Sequence, residues 1–241
     1  HLKSLAEKDG LEYRLYGEKT YLTNGPLADL FIVIAVTRTD GERKRFTAFI
    51  MERRTKALQV TPPIDLACLR PAVHCGISFN GCRVPPNQVL GPENEAYEQI
   101  AAPFRQTENT LMTGLILGGI SYATRRLTGF CRAGQTGPRG KTGEALLDLR
   151  AATEAMHLIV QRNARAVAGT TVHGLMALFL SAQIKACIQR IRSLAESGQM
   201  TDEPALRHMI LDLTAMQNLG EAGVKSGRKH LMEKLFPDSA V

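Results

Sequence analysis

The stretch of sequence that decides the fold is residues 17–37, GEKTYLTNGPLADLFIVIAVT. It contains two short apolar runs, Thr20–Thr23 and Leu30–Thr37, separated by the turn-forming residues Asn24-Gly25-Pro26. Apolar runs of four to eight residues bounded by Gly, Pro and Asn are typical of β-strands. Because Leu30–Val36 lacks strict alternation, we predict that it is a central strand buried on both faces.

Similar runs occupy the rest of the first 98 residues: Tyr13–Tyr16, Phe46–Met51, Leu58–Thr61 and Gly76–Phe79. Asp40-Gly41 lies between two apolar runs and predicts a hairpin, since Gly tolerates the positive φ of a tight turn. The first 98 residues are therefore expected to form a small β-sandwich or barrel.

After residue 98 the pattern becomes helical. One long helix is predicted over Phe104–Phe130, and three more over Glu144–Ala168, Val172–Ser197 and Pro204 to about Phe236. The expected fold is α+β and multidomain, with a β domain at 1–98 and an antiparallel helical bundle at 99–241.

Local signals mark the ends and the packing of these helices. Thr201 and Asp202 are predicted to start the last helix, and Gly198 to end the one before it. Glycine is unfavourable inside helices, so three glycines within the first helix indicate close helix packing or close approach of a ligand. They are Gly114, Gly118 and Gly119.

The composition is that of an ordinary globular protein, with 44% apolar and 22% charged residues and a net charge of +7. The positive charge favours polyanionic partners or is a mildly cationic surface. Nucleic acid is not expected, because Trp is absent and aromatic residues make up only 5%. No apolar run reaches the roughly 18–20 residues of a membrane span, and no targeting signal is recognisable after His1.

Cysteines and basic residues give no recognisable metal or nucleotide motif. The five cysteines contain no Cys-x-x-Cys pair, which indicates free thiols, a reducing compartment and no bound metal. The tract Arg132–Gly143 has four glycines and three basic residues. It is either a phosphate-binding loop or a mobile polar loop.

Two separated segments carry a resemblance to a known family. Gly17–Gly25, followed by Ala28-Asp29, resembles a flavin-contacting strand of the acyl-CoA dehydrogenase middle domain. Phe79–Gly91 is similar to a later segment of the same domain, and Arg70 lies at the family's spacing before Phe79. The resemblance covers about residues 1–130.

The resemblance implies a function and a cofactor. Family members bind FAD and oxidise an acyl-CoA thioester between Cα and Cβ, and an electron-transfer protein reoxidises the flavin. By this resemblance Tyr21 and Thr23 lie against the flavin ring, with Thr23 as a hydrogen-bond partner. It also implies a homo-oligomer located in the cytoplasm, or in the mitochondrial matrix if the source is eukaryotic.

The start of the helical domain, Phe104–Asn109, also resembles the family. The resemblance implies that Phe104 and Thr107 contact substrate and that Glu108 is a candidate catalytic base. Counting from Gly114 places Glu108 where the family has a substrate-contacting Arg, whereas counting from Gly119 places Thr110 there. Glu108 is alternatively a carboxylate in the first turn of a helix, stabilised by the helix dipole.

The family's adenosine-side segment corresponds to Arg132 and Gln135, without its aromatic residue. Further departures are Cys68 in place of a Gly, Ala72 or His74 in place of a Ser or Thr, and extra helical sequence near 144–170. The N-terminal helical domain and the late segment that carries the usual catalytic Glu have no counterpart. These departures leave two alternatives to an active enzyme: a non-catalytic binding or assembly module, and a fragment of a longer enzyme.

Overall fold

The computed structural model describes residues 4–133, 140–165, 171–198, 200 and 203–236. The chain divides into two compact units, His1–Gln106 and Thr107–Val241. The strands precede the helices, so the predicted α+β class is confirmed.

The first unit contains one mixed sheet of seven strands. They are β1 Leu5–Asp9, β2 Glu12–Thr23, β3 Leu30–Asp40, β4 Arg43–Glu52, β5 Leu58–Val60, β6 His74–Val84 and β7 Val89–Leu90. Their order across the sheet is β5-β6-β2-β1-β3-β4-β7, and only β1 and β3 pair in parallel. The predicted strands Tyr13–Tyr16 and Thr20–Thr23 are two parts of β2. Strands β1 and β7 were not predicted, because β1 is mostly charged and β7 has only two residues.

The sheet curls so that one face encloses a core. The Tyr13 ring on β2 lies 5.1 Å from the Phe49 ring on β4, although these strands are three places apart in the sheet order. A flat sheet would separate them by about 14 Å. The enclosed core takes side chains from β1, β2, β3, β4 and β6: Ala6, Tyr13, Leu15, Phe31, Val33, Ala35, Phe49, Met51, Ile77, Phe79, Cys82 and Val84.

The hairpin prediction is confirmed and the burial prediction for β3 is wrong. β3 and β4 pair up to Asp40↔Arg43, and Gly41 has a φ of 61°. Within β3, Phe31 and Val33 are buried, but Leu30 and Ile32 are 59% and 62% exposed. Alternate side chains of a strand point to opposite faces, and only one face of this curled sheet lines the core.

The second unit is a helical bundle. A π-helical turn, Tyr97–Ala101, leads into α1 Ala102–Ala133, and α2 Gly140–Arg165, α3 Thr171–Ser197 and α4 Pro204–Leu235 follow. Buried residues recur at helical spacing along α3, from Leu180 through Ile184 and Ile188 to Ile191. They pack with Leu117, Ile120, Leu149, Met156 and Leu213 in one core. No helix in the described part of the chain is long and apolar enough to cross a membrane.

The helix ends partly follow the predictions. α3 ends at Ser197 and Gly198 follows as a turn, as predicted. Thr201 and Asp202 lie outside the described residues, and the N-cap of α4 is instead Glu203, whose carboxylate accepts a hydrogen bond from the Leu206 backbone N–H. Glu203 was not predicted as the N-cap, because glutamate is not among the preferred capping residues.

The glycines of α1 separate into two groups. A Cβ atom on Gly119 would lie 2.9 Å from Leu213 Cδ2 and 3.0 Å from Met209 Sδ, whereas Gly114 and Gly118 face open space. Close helix packing, one of the two predicted roles, is therefore the role of Gly119.

Candidate functional site

A bulge in β2 shapes the candidate site. Between Lys19 and Leu22, β2 contains one more residue than the paired part of β6, Cys75–Ile77. Bulges of this kind redirect the side chains that follow. Beyond the bulge, Leu22 packs against the strand core, while Thr23 is exposed and Tyr21 is 36% exposed. The two predicted flavin-contact residues therefore lie on the same, outward face of the strand.

The turn after Thr23 is tightly anchored. Asn24 has a left-handed φ of 58°, and its backbone N–H donates to Val73 O at 2.7 Å. The Arg53 guanidinium donates to the carbonyls of Gly25 at 3.1 Å and of Pro26 at 2.9 Å. A side chain on Gly25 would collide with the Cys75 sulfur. The end of β2 is thus held by backbone, guanidinium and close-packing contacts.

His74 completes this part of the site. It is directly opposite Thr23 in the β2–β6 pairing, so both side chains lie on the same face of the sheet. The imidazole stacks on the Tyr21 ring, with centroids 4.8 Å apart and the planes 23° from parallel. His74 is only 3% exposed, and neither of its ring nitrogens has a hydrogen-bond partner among the described residues. We call the surface formed by Tyr21, Thr23 and His74 the strand face.

The phenol of the strand face and a thiol beside it are uncharged. Burial is the main cause that raises the pKa of the Tyr21 phenol above its ordinary value, and the nearby Cys68 raises it further. Burial also raises the pKa of the neighbouring Cys75 thiol. Both groups are therefore neutral at physiological pH. A flat ring, a hydroxyl and an imidazole with free hydrogen-bonding capacity suit a heteroaromatic ligand with a polar edge.

Two of the three residues of the strand face were predicted as site residues. Tyr21 and Thr23 came from the resemblance, whereas His74 was noted only as a departure from the family. A histidine at the start of an apolar strand was the available signal. Its opposition to Thr23 follows from the cross-strand register, which the sequence does not show.

The other predicted residues lie on α1. Phe104 is 66% exposed, and Thr107 and Glu108 are exposed as well. Thr107 and Glu108 lie three and four residues after Phe104, which is helical spacing. The side chains of all three residues therefore project from one side of α1. Glu108 is the seventh residue of α1, which continues backwards into the turn Tyr97–Ala101. The interpretation of Glu108 as a first-turn carboxylate is therefore wrong, since the stabilising helix-dipole effect is confined to the first turn.

The predicted adenosine-side residues lie far along the same helix. Arg132 is exposed in the last turn of α1, where a cation is favoured by the helix dipole. At 1.5 Å per residue it is about 36 Å from Glu108 along the axis. Gln135 lies outside the described residues.

Other parts of the described chain offer weaker sites. An open groove of about 570 Å³ runs along the end of α4 and contains none of the predicted site residues. Its lining is Lys225, Arg228, Lys229, Met232, Glu233 and Phe236. The described residues contain no cluster of His, Cys, Asp and Glu that could hold a metal ion, and the five cysteines are free thiols.

The residues that form β2 lie within a match to a known family. Residues 1–82 match the family model described as acyl-CoA dehydrogenase, middle domain. Residues 1–82 belong to the acyl-CoA dehydrogenase middle-domain family. The predicted family resemblance is thereby confirmed.

Curated relatives match about two fifths of the chain. L-prolyl-[peptidyl-carrier protein] dehydrogenase of Pseudomonas fluorescens is 37% identical over 97 residues, which are 39% of this chain and 25% of the relative. Mitochondrial isovaleryl-CoA dehydrogenase of Pongo abelii is 36% identical over 96 residues, 39% of this chain and 23% of the relative. The matched region is thus about a quarter of the length of each of these two relatives.

A solved structure extends the comparison to nearly the whole chain. The FAD complex of PigA superimposes with a TM-score of 0.80 at 22% identity, covering 97% of this chain and 62% of that one. This likeness shows that both units share their fold with a larger protein.

Proposed function

We propose that this chain is the middle and helical part of an FAD-dependent dehydrogenase that oxidises an acyl thioester between Cα and Cβ. Family membership supports a general oxidoreductase function. The observation that carries the proposal is the strand face, where Tyr21 and Thr23 stand outward on a bulged strand inside the matched region.

The residues of the strand face fit an isoalloxazine ring. The exposed part of the Tyr21 ring can pack against a flat aromatic system, and the Thr23 hydroxyl can donate to or accept from its heteroatoms. The neutral phenol of Tyr21 places no buried charge beside the ring. When bound, FAD would supply the acceptor for the substrate's β-hydride.

The chain's own residues would then bind, orient and deprotonate the substrate. Phe104 and Thr107 are proposed to contact the acyl thioester, and Glu108 to remove the α-proton with its carboxylate. Phe104, Thr107 and Glu108 lie on one side of α1, so they could contact the same substrate molecule. Arg132 is proposed to contact the anionic half of the cofactor. An acyl-CoA substrate and an electron-transfer protein as acceptor complete the proposal.

Binding of FAD is the first prediction. The purified chain should take up FAD on titration, and Tyr21→Ala should weaken binding by about tenfold, since a stacking contact is worth roughly 0.5–1.5 kcal/mol beyond its buried area. The measurement is the dissociation constant from flavin absorbance and fluorescence.

A matched control is Tyr97→Ala, which removes another exposed tyrosine of the same unit, one that contacts Phe46. This variant should bind FAD as the parent chain does. A parent chain that binds no FAD would reject the proposed function.

Turnover is the second prediction. With FAD and an artificial electron acceptor, the chain should oxidise an acyl thioester, and Glu108→Gln should reduce kcat by at least 100-fold because the amide cannot take up the α-proton. Glu154→Gln, at an exposed glutamate on α2, is the control and should leave kcat unchanged. Activity that survives Glu108→Gln would remove Glu108 from the mechanism.

The turnover assay also separates the other functional candidates. Acyl-CoA and a thioester tethered to a peptidyl carrier protein should both be offered, because the two relatives named for these substrates are 36% and 37% identical. FAD binding without turnover of either thioester would favour the non-catalytic binding module instead.

A further inference from the structure

His74 is buried outside the hydrophobic core. The core face of β6 is formed by Ile77 and Phe79, whereas His74 belongs to the opposite face with Thr23. Its two ring nitrogens are nevertheless sealed from solvent and without hydrogen-bond partners among the described residues. Such atoms lose their hydration on folding and gain nothing in return, so each one destabilises the folded chain.

Packing alone would not require an imidazole here. The stacking contact with Tyr21 needs only a flat ring, and phenylalanine would provide it without burying polar atoms. The backbone of His74 has its own bonds, since its carbonyl accepts from the Ile64 N–H at 2.7 Å. Neither packing nor backbone bonding therefore accounts for the ring nitrogens.

The position of His74 points to a ligand on the strand face. Directly opposed residues of an antiparallel pair have Cβ atoms about 4.5–5.5 Å apart, so the imidazole and the Thr23 hydroxyl are neighbours. Tyr21 covers the imidazole while keeping 36% of its own surface exposed. A turn of the Tyr21 side chain about χ1 would open the imidazole to whatever binds beside Thr23.

We propose that His74 is a flavin-binding residue, whose ring nitrogen pairs with the polar edge of the isoalloxazine beside Thr23 once the Tyr21 ring turns from the imidazole to pack against the flavin. This inference rests on the proposed function, because the ligand it names is FAD. It assigns to the buried imidazole a hydrogen bond that exists only in the bound state, and it explains why polar atoms are buried without partners in the free chain.

The test is the variant His74→Phe in the full chain. Phenylalanine keeps the ring that stacks on Tyr21 but removes both nitrogens. Without FAD, the variant should be more stable, with Tm raised by about 4 °C, because two desolvated polar atoms are gone. With FAD, its dissociation constant should rise by about tenfold, the effect of one lost hydrogen bond.

Two further variants keep the test decisive. His74→Gln retains a donor and an acceptor without the aromatic ring, and it should bind FAD more tightly than His74→Phe does. His157→Phe makes the same exchange at a partly exposed histidine on α2, and it should leave the FAD dissociation constant unchanged. If His74→Phe does not fold, the response of the His74 ring nitrogens to added FAD decides, since unchanged ¹⁵N chemical shifts would reject the proposal.

The imidazole itself provides an independent readout. The ¹⁵N chemical shifts of the His74 ring should move to hydrogen-bonded values when FAD is added, and His157 should not respond. Equal FAD affinity of His74→Phe and the parent chain would overturn the proposal and leave the proposed function intact. A parent chain that binds no FAD would overturn both.

Discussion

Gly118 and Gly119 are adjacent residues of α1 with opposite surroundings. A Cβ atom on Gly119 would lie against Leu213 and Met209 of α4, whereas one on Gly118 would point into open space. The sequence shows two identical residues, and the orientation of α1 against α4 makes one of them a packing position.

We therefore expect the same substitution to have different effects at the two positions. Gly119→Val should lower the free energy of unfolding by about 1–3 kcal/mol, because the branched side chain displaces Leu213 and Met209. Gly118→Val should change it by no more than about 0.5 kcal/mol, since valine has a better helix propensity than glycine. Urea denaturation followed by far-UV circular dichroism measures both, and equal effects would contradict the packing of α1 on α4.

The prediction for Glu108 shows the limit of a residue-scale reading. Its identity and its place in the motif were readable, but its distance from the helix start depended on the turn Tyr97–Ala101. That turn extends the helix backwards past Pro103, a residue that usually marks a helix start. Because the helix was predicted to begin just after Pro103, Glu108 was interpreted as a first-turn carboxylate stabilised by the helix dipole. In the structure Glu108 lies beyond the first turn.

At the scale of elements, the start of α4 depends on one carboxylate. Glu203 accepts from the Leu206 backbone N–H and also pairs with Arg126 of α1. The pKa of Glu203 lies below its ordinary value of 4.5. The main cause is the hydrogen bond from the Leu206 N–H, and the interaction with Arg126 is a second cause. Glu203 thus links the beginning of one helix to the side of another within the second unit.

The lowered pKa predicts a pH-dependent contribution to stability. A carboxylate whose pKa is lower in the folded state stabilises that state above the unfolded value of 4.5, and the contribution disappears as pH falls through the folded value. Glu203→Gln keeps an oxygen acceptor for the Leu206 N–H but removes the charge. Its Tm should lie below that of the parent chain at pH 7, and the gap should close below about pH 4.5. A gap that is constant with pH would contradict the assigned charge interaction.

Strands and helices differed in how well the sequence indicated them. Helices α2, α3 and α4 repeat apolar residues at helical spacing over 26 to 32 residues, so their existence was predictable. β1 and β7 were not, because the first is mostly charged and the second is very short. Both strands form through pairing with stronger neighbours, β2 and β4, rather than through their own propensity.

For the whole molecule, the order of strands and helices followed from the sequence, while the packing of each unit did not. The structure separates the two compact units between Gln106 and Thr107, within the continuous helix α1. The domain division at residue 98 and the homo-oligomer implied by the resemblance stay predictions.

The sequence by itself determined the element types, the Asp40-Gly41 hairpin and the family motif with Tyr21 and Thr23. These features depend on residues close together in the chain, where spacing and turn chemistry act directly. Only the tertiary structure decided which face of β3 is buried, which glycine of α1 packs, and that His74 lies beneath Tyr21. Each of these depends on strand register or on contacts between residues far apart in sequence, such as the stacking of His74 on Tyr21 across two paired strands.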